Sequence, residues 1–337
     1  MRVALLGYGL AGRVLHQPLL RGVTGLSLTH IVTAEPARQE QARRDVPGVE
    51  VVEHADELWR RAGEYDAVVV ATPNDSHLPL ATASLELGKA TVVDKPLART
   101  ADEAALLVSR AAELAVPLTV FHNRRWDSDT LTAAALLAGG SIGRVHRLES
   151  RFTRFRPEVA TRWRERAGTG GGVLLDLGSH LVDQALHLLG PAVEVYAEVD
   201  ARRDGAAVDD DCFLALTHTS GARSHLWCSM TAPAPGPRLV LQGSHAGWVK
   251  EDLDGQEDAL RAGVPAGLEP PGRLTDAGGT REICSLAGDW PAFYRGFLAA
   301  VTGAADVPVP PGDGVSVLQV LDAARRSARH HQVVPLS

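Results

Sequence analysis

The sequence predicts an α/β protein: an N-terminal Rossmann domain with a doubly wound parallel sheet, followed by an α+β domain with a large, mostly antiparallel open sheet. Three observations predict this fold class. Over about 120 residues, short apolar runs alternate with amphipathic stretches, which is typical of a parallel sheet flanked by helices. A glycine-rich hexapeptide directly follows the first apolar run. After Phe121 the apolar runs follow one another more closely, which favours antiparallel strands.

The composition limits the classes of partner that we expect the protein to bind. With 337 residues the chain is long enough for two domains and a cleft. Its 45% hydrophobic and 22% charged residues are those of an ordinary globular protein. A net charge of −7 and a pI near 6.0 argue against a nucleic-acid partner, because phosphate-binding surfaces are rich in Lys and Arg. We therefore expect a small-molecule ligand.

The chain shows neither a secretory leader nor an apolar run of about 18 residues, so we expect no membrane association. Cys212, Cys228 and Cys284 are far apart and lack CxxC spacing. This pattern predicts a cytoplasmic protein with buried thiols and no structural zinc. We expect no bound metal.

The first domain is predicted to span residues 1–122, and the apolar runs within it give six strands and five helices. The predicted strands are Arg2–Leu6, Ser27–Val32, Val49–Val52, Ala67–Ala71, Ala90–Val93 and Leu118–Phe121. The predicted helices begin near Ala11, Glu35, Asp56, His77 and Thr100. Thr100 and Glu103 have capping-box spacing, so we expect each side chain to bond the other's backbone N–H.

The second domain is predicted to span residues 123–310, with a final helical segment over 311–337. Its predicted helices are Asp129–Leu137, Val173–Leu189 and, in the final segment, Val315–His330. Its predicted strands are Val145–Phe155, Val193–Val199, Cys212–Thr217, Arg223–Met230 and Arg238–Gly243. Residues 254–282 are rich in Gly, Pro and charge, and we expect a long loop that acts as a lid, an oligomer arm or plain surface.

The hexapeptide GYGLAG, residues 7–12, has the spacing of a dinucleotide fingerprint and the required position between a strand and a helix. Gly7 permits the tight turn, Gly9 lets the backbone approach a pyrophosphate, and Gly12 lets helix and strand pack closely. Leu10 and Ala11 begin the helix whose N-terminus attracts the anion. We expect NAD or NADP here.

The end of the second strand decides between these cofactors in Rossmann proteins. An acidic residue there binds the ribose of NAD, whereas an Arg accommodates the 2′-phosphate of NADP. Thr33 and Arg38 suit NADP, and Glu35 suits NAD if its loop turns inward. Both alternatives stay open.

Two further loops follow predicted strands, at the edge where open α/β sheets bind ligands. In the first we expect Thr72, Pro73, Asn74 and His77 to contact the cofactor, although Asn74 is also suited to a turn and helix cap. In the second, Asp94 precedes Lys95, which we expect to point an ammonium group toward cofactor and substrate. A Lys outside such a cleft is usually a surface charge.

Asp176 and His180 follow the glycine run 170–172 and are four residues apart, so they share one face of the predicted helix. His180 is a candidate acid or base for an alcohol proton, and Asp176 could orient its ring or bind a hydroxyl. A structural core histidine is the alternative for this pair. A third hypothesis is that Asp176 and His180 bind a metal ion, but no other residues of the sequence show the spacing of metal ligands.

Polar and aromatic residues after the sixth strand suit the hydroxyls and the ring face of a polyol. Interdomain ion pairs and ordinary packing would explain each of them equally well. The candidates for this binding wall are His122, Asn123, Arg124, Trp126, Arg154 and Trp163.

These motifs together resemble the glucose–fructose oxidoreductase and inositol dehydrogenase family, Gfo/Idh/MocA, from end to end. GYGLAG, TPNDSH, DKP and GGGVLLDLGSHLVDQALHLLG stand in the family's order and spacing. Within the family, FHNRRWDSD, RPEVATRWRE, APGPR and KEDLDGQEDALRAG are most similar to NADP-type scyllo-inositol dehydrogenases.

The resemblance implies that Lys95, Asp176 and His180 match the family's catalytic residues. It also implies a C-terminal helix that returns to the Rossmann domain and an open sheet used for a homodimer or homotetramer. Two positions depart from the pattern: the family's usual EKP is DKP here, and Ala34-Glu35 stands where NADP-type members carry Ser-Arg.

We therefore expect hydride transfer between a nicotinamide and a secondary alcohol of a cyclic polyol or sugar. One alternative is a non-catalytic dinucleotide-binding sensor, because a fold does not fix its function. Another is an imine or diene reductase, which needs a proton donor but no hydroxyl base.

Overall fold

The computed structural model describes residues 1–160, 165 and 170–336. They form two compact units. The first comprises Met1–Asn123, Glu257–Pro265 and Trp290–Val315, and the second comprises Arg124–Gln256, Ala266–Asp289 and Ser316–Ser337. Each unit is built around its own sheet.

The strands are β1 (Arg2–Leu6), β2 (Ser27–Val32), β3 (Glu50–Val52), β4 (Ala67–Val70), β5 (Ala90–Asp94), β6 (Leu118–Phe121), β7 (Val145–Thr153), β8 (Ala192–Asp200), β9 (Asp211–His218), β10 (Arg223–Ser229), β11 (Leu239–Gly243), β12 (Ala246–Lys250), β13 (Gly272–Asp276), β14 (Gly279–Ile283) and β15 (Val334–Pro335). The α-helices are α1 (Gln17–Arg21), α2 (Pro36–Asp45), α3 (Ala55–Trp59), α4 (His77–Glu86), α5 (Ala101–Leu114), α6 (Ser128–Ala138), α7 (Ser179–Leu189), α8 (Gln256–Ala262), α9 (Pro291–Val301) and α10 (Pro311–His330). Wider, π-helical turns over Ala11–His16 and Leu174–Gly178 lead into α1 and α7.

The first unit contains a parallel six-stranded sheet in the order β3-β2-β1-β4-β5-β6, which is the order of a Rossmann sheet. Its central strands β4 and β5 are buried along their whole length, because helices cover both faces of a doubly wound sheet. The predicted fold class is confirmed, and the predicted strands differ from the observed ones by one residue at most.

Helix α5 begins with the predicted cap, with one difference. The Thr100 hydroxyl accepts the backbone N–H of Glu103 at 3.2 Å. The Glu103 carboxylate, however, accepts the N–H of Arg99 at 3.0 Å rather than that of Thr100. The expected reciprocal bond was therefore wrong by one residue, because the chain enters the helix in an extended conformation that exposes the preceding N–H.

The second unit contains a nine-stranded sheet in the order β14-β13-β12-β11-β7-β10-β9-β8-β15. Only the β7–β10 pair among these described strands is parallel, so the sheet is mostly antiparallel as predicted. Residues alternate along β9 between one buried and one half-exposed face. Helix α7 packs against β7 and β10.

The expectation of a long loop over residues 254–282 was wrong. The segment contains α8, β13 and most of β14, and the two strands form a hairpin that extends the sheet beyond β12. The loop was predicted from the charged and glycine residues of this segment. An edge hairpin with mostly exposed side chains, however, needs few apolar residues and can have the same composition. Strand β12 was also missed.

Two further observations concern the described residues. Cys212, Cys228 and Cys284 are free thiols; the first two are buried as expected, whereas Cys284 is exposed. None of the helices in the described part of the chain is long and apolar enough to span a membrane.

Candidate active site

The glycine loop at the end of β1 forms a cradle that side chains would fill. A Cβ on Gly7 would lie 2.5 Å from the carbonyl oxygen of Ala71, and Gly7 has a φ of +94°. A Cβ on Gly12 would collide with the carbonyl oxygen of Gly7. By contrast, a Cβ on Gly9 would find its nearest neighbour at 3.8 Å, the Arg38 guanidinium, so space is open in front of this residue. The loop fits a dinucleotide pyrophosphate.

Arg38 and Glu35 form an ion pair beside this loop. The Arg38 Nε lies 2.8 Å from the Glu35 carboxylate, and about half of each side chain is exposed. Thr33 is buried, and its carbonyl oxygen accepts the side-chain amide of Gln39 at 3.0 Å. Glu35 and Arg38, which were expected to favour different cofactors, therefore lie beside the glycine loop. Their opposite charges neutralise each other.

The loop after β4 is tied to the loop after β5 by a buried imidazole. His77 Nδ1 lies 2.8 Å from the carbonyl oxygen of Pro96, and its Nε2 lies 3.0 Å from that of Thr72. Burial lowers the pKa of His77, against the opposing effect of Asp94 and the two carbonyls. Asn74 is also buried. His77 thus lies between the two loops and donates to one of the two carbonyl oxygens, and its contact with the cofactor stays a prediction.

Asp94 ends β5 and is buried, and Lys95 follows it and is partly buried. The Asp94 carboxylate accepts the backbone N–H of Lys95 at 2.9 Å. The sequence therefore placed Lys95 correctly at the carboxyl end of a parallel strand.

Two residues near Asp94 were missed. His16, in the helix that follows the glycine loop, is fully buried, and its Nε2 lies 3.8 Å from Asp94 Oδ1. Its Nδ1 lies 2.5 Å from the hydroxyl of Tyr294. A histidine on the apolar side of that helix was a signal in the sequence, but nothing local indicates Tyr294.

In the second unit, the helical segment that carries Asp176 and His180 is capped by another missed residue. The Asp209 carboxylate accepts the N–H of Leu174 at 2.7 Å. Asp176 lies in the wide turn that follows and is half-buried, and His180 is the second residue of α7 and is buried. Burial raises the pKa of Asp209, although the N–H of Leu174 opposes this. The run of three acidic residues at 209–211 was the available signal.

The ring of Phe152 connects His180 to two buried guanidinium groups. The Phe152 and His180 ring centroids are 6.1 Å apart. The guanidinium carbons of Arg124 and Arg238 lie 4.8 and 4.3 Å from the Phe152 centroid. Arg124 also contacts Asp127 at 3.1 Å, so this candidate substrate residue is part of a buried ionic cluster.

That cluster holds three carboxylates. Asp129 lies 2.9 Å from Arg238, and the Asp254 carboxylate accepts the N–H of Ser128 at 2.7 Å. Burial, together with the charges of Asp129 and Asp254, raises the pKa of Asp127 to about 8, although Arg124 opposes the shift. Burial therefore favours the protonated form of Asp127.

The remaining candidates for the substrate wall are divided between the two units. His122 and Asn123 are buried in the first. Trp126 is half-buried in the second, and its carbonyl oxygen accepts the N–H of Asp289 at 2.9 Å. Arg154 is half-exposed. Trp163 lies outside the described residues, and the part of each residue in substrate binding stays a prediction.

Family models match both parts of the chain. A model of an oxidoreductase family with an NAD-binding Rossmann fold matches residues 1–122. A model of the GFO/IDH/MocA C-terminal domain matches residues 130–249.

Individual proteins match over the whole chain. The scyllo-inositol 2-dehydrogenase (NADP(+)) IolW of Bacillus subtilis is 36% identical, over 100% of this chain and 96% of that protein. The uncharacterized oxidoreductase YdgJ of Escherichia coli is 38% identical, over 100% and 99%. The inositol 2-dehydrogenase of Rhizobium meliloti is 26% identical, over 100% and 99%. The solved structure of the oxidoreductase YvaA from Bacillus subtilis superimposes with a TM-score of 0.94 at 36% identity, over 100% of this chain and 98% of that one.

Proposed function

The chain belongs to the Gfo/Idh/MocA family of NAD-binding oxidoreductases, and on this premise we propose that it is a dehydrogenase acting on CH–OH groups. It transfers a hydride between NAD or NADP and a secondary alcohol of a cyclic polyol or sugar, with an inositol-like substrate as the first candidate. One observation carries the proposal: the 36% identity to a scyllo-inositol 2-dehydrogenase covers the whole chain. The similarity to inositol 2-dehydrogenase and D-apiose dehydrogenase supports the same substrate class.

The cofactor site of this proposal lies at the carboxyl ends of β1, β2, β4 and β5. The backbone of Gly9, Leu10 and Ala11 holds the pyrophosphate, because free N–H groups at a helix start favour an anion. Glu35 and Arg38 contact the adenosine ribose. Thr72, Pro73 and Asn74 hold the nicotinamide half. When bound, the nicotinamide supplies the hydride acceptor or donor.

The protein's own residues hold the alcohol and move its proton. His180 takes the hydroxyl proton during oxidation and returns it during reduction, since an imidazole exchanges protons near neutral pH. The Lys95 ammonium donates a hydrogen bond to the substrate, and Asp176 accepts one from a substrate hydroxyl. His122, Asn123, Arg124, Trp126, Arg154 and Trp163 form the proposed wall for the rest of the substrate.

The test is oxidation of scyllo-inositol, myo-inositol and a panel of sugars with NAD and with NADP. The absorbance of the reduced dinucleotide measures the rate. Lys95→Met and His180→Asn should each lower kcat by about 10²–10⁴-fold, the contribution of a positioned acid or base. Lys89→Met is the matched control because the Lys89 ammonium donates to the Tyr65 carbonyl oxygen and has no role in the proposed reaction. Tight dinucleotide binding without turnover of any substrate would instead favour a sensor.

We also propose that the protein forms a homodimer or homotetramer through the half-exposed face of the nine-stranded sheet. Phe213 and Trp227 lie 5.1 Å apart on this face, and the Arg151 guanidinium stacks 4.0 Å from the Trp227 ring. Aromatic and Arg side chains are enriched in protein interfaces. Trp227→Glu should reduce the mass measured by light scattering to that of a monomer, and an unchanged mass would contradict this surface.

For the compartment we propose the cytoplasm, because the exposed Cys284 thiol is free and such thiols persist in reducing compartments. Cell fractionation with an antibody against the protein tests this.

A further inference from the structure

Three polar groups of the first unit lie in a row behind Lys95. The Tyr294 hydroxyl contacts His16 Nδ1 at 2.5 Å, and His16 Nε2 faces Asp94 Oδ1 at 3.8 Å. Asp94 in turn accepts the N–H of Lys95 at 2.9 Å. Neither His16 nor Tyr294 has a role in the reaction proposed above.

The burial of Tyr294 fixes the direction of the hydrogen bond to His16. Burial, and the charge of Asp94, raise the pKa of Tyr294 far above its usual value, so the hydroxyl keeps its proton. It can therefore donate to Nδ1. When the hydroxyl donates to Nδ1, that nitrogen carries no proton, and the ring proton of His16 is on Nε2, the atom that faces Asp94.

The Asp94 carboxylate is the acceptor that the His16 Nε2–H faces. Its burial alone would raise its pKa, but His16, Lys95 and His77, the charged or titratable groups that face it, hold the pKa below its usual value. The carboxylate is therefore ionised at neutral pH.

His16 and Asp94 face each other without forming a hydrogen bond. At 3.8 Å it is too long for a hydrogen bond, and Nε2 has no other hydrogen-bond partner among the described residues. A buried, unpaired N–H is costly, so the arrangement favours a shorter contact.

The imidazole itself has little freedom to close that gap. Its ring centroid lies 4.3 Å from that of Phe121, which in turn packs edge to face with Phe293 at 4.8 Å. A movement of roughly 1 Å that brings the two atoms into range must therefore come from Asp94 and the backbone that leads to Lys95.

We propose that Tyr294 and His16 form a buried relay that offers one N–H to the Asp94 carboxylate and thereby positions Lys95 for catalysis. Both are positioning residues, and their catalytic consequence rests on the proposed dehydrogenase function.

Nitrogen-15 NMR of the histidine side chains tests the relay without substrate. The two His16 nitrogens, assigned by their loss in His16→Gln, should show a proton on Nε2 and none on Nδ1 in the folded protein. A proton on Nδ1 overturns the proposal.

Chemical labelling tests the effect on Lys95. The sequence contains three lysines, Lys89, Lys95 and Lys250, so acetylation of Lys95 relative to Lys89 can be read by mass spectrometry. Tyr294→Phe keeps the ring but removes the donor, and it should change this ratio by roughly tenfold at constant pH, the effect of a lost hydrogen bond to a charged group. In protein that already carries Asp94→Asn, the same change should have no further effect.

Thr119→Val is the matched control because it also removes one buried hydroxyl of the first unit, which donates to Val309 at 2.8 Å. Equal labelling in Thr119→Val and Tyr294→Phe, or additive effects with Asp94→Asn, overturns the relay.

Kinetics separate this proposal from the proposed function. In an active enzyme, Tyr294→Phe should lower kcat and shift its pH profile while the dinucleotide Kd stays unchanged; an unchanged pH profile overturns the positioning role. If the wild-type protein oxidises no polyol or sugar, the proposed function fails, whereas the expected NMR and labelling results still support the relay.

Discussion

The Asp209 carboxylate accepts the backbone N–H of Leu174 and fills the space that a side chain on Gly172 would need. Gly172 has a φ of +98°, a conformation that L-residues rarely adopt. The start of the helical segment that carries Asp176 and His180 thus depends on one acid and one glycine from distant parts of the chain.

Asp209→Ala should therefore destabilise the protein by about 1 kcal/mol, the usual cost of a lost helix cap, and should lower turnover because Asp176 lies two residues after the capped N–H. Chemical denaturation and steady-state kinetics measure the two effects. Asp204→Ala is the control, since Asp204 is exposed in the same loop. A variant as stable and active as this control would show that the cap is dispensable.

The glycine loop predicts that stability and cofactor binding can be separated. Gly9→Ala has room in the folded protein, so it should leave the unfolding midpoint unchanged but weaken dinucleotide binding on the order of tenfold, or about 1.4 kcal/mol. Gly12→Ala collides with Gly7 and should cost about 1–3 kcal/mol of stability, as overpacking does. Fluorescence titration with NADH and NADPH, beside thermal unfolding, checks both. Full affinity in Gly9→Ala would place the pyrophosphate elsewhere.

The Glu35–Arg38 pair predicts how cofactor preference can be changed. Glu35→Ser frees the guanidinium for a 2′-phosphate and should shift the ratio of the two Kd values toward NADP by roughly fivefold, the upper range for an exposed ion pair. Glu40→Ser is the control because its partner Arg44 lies on the same helix at 3.6 Å. Equal shifts in both variants would mean that only net charge matters.

The buried carboxylate cluster predicts a dependence of stability on pH. Because the pKa of Asp127 rises from an ordinary 3.8 to about 8 on folding, the folded form holds the proton between these values. Asp127 therefore contributes stability at low pH that is lost as the pH rises toward 8, by at most about 1.4 kcal/mol per pH unit.

Asp127→Asn should remove this slope and be more stable than the wild type at pH 9. Denaturant titrations from pH 5 to 9 measure it. Asp129→Asn, which leaves Arg238 without its carboxylate partner, should instead be less stable throughout. Parallel curves for the wild type and Asp127→Asn would contradict the assignment of the proton.

The local sequence was sufficient to predict the first sheet and its glycine loop. A strand such as Ala67–Val70, apolar at every position, can only be buried on both faces, and the fingerprint at residues 7–12 has to lie between a strand and a helix to bind a pyrophosphate. The positions of Lys95 and His180 on their elements followed from the same patterns. The hairpin β13–β14 did not, because an exposed edge strand leaves almost no hydrophobic signal.

The sequence by itself determined the two-domain fold class, the dinucleotide loop and the positions of Lys95, Asp176 and His180 along the chain. Tertiary structure alone decided that Tyr294 meets His16 across 278 positions, that Asp209 caps the segment beginning at Leu174, and that Asp127 and Asp129 pair with Arg124 and Arg238. The physical reason is that periodicity and local backbone preference act over a few residues. A buried polar group, in contrast, takes whichever partner the packed chain brings within hydrogen-bond distance.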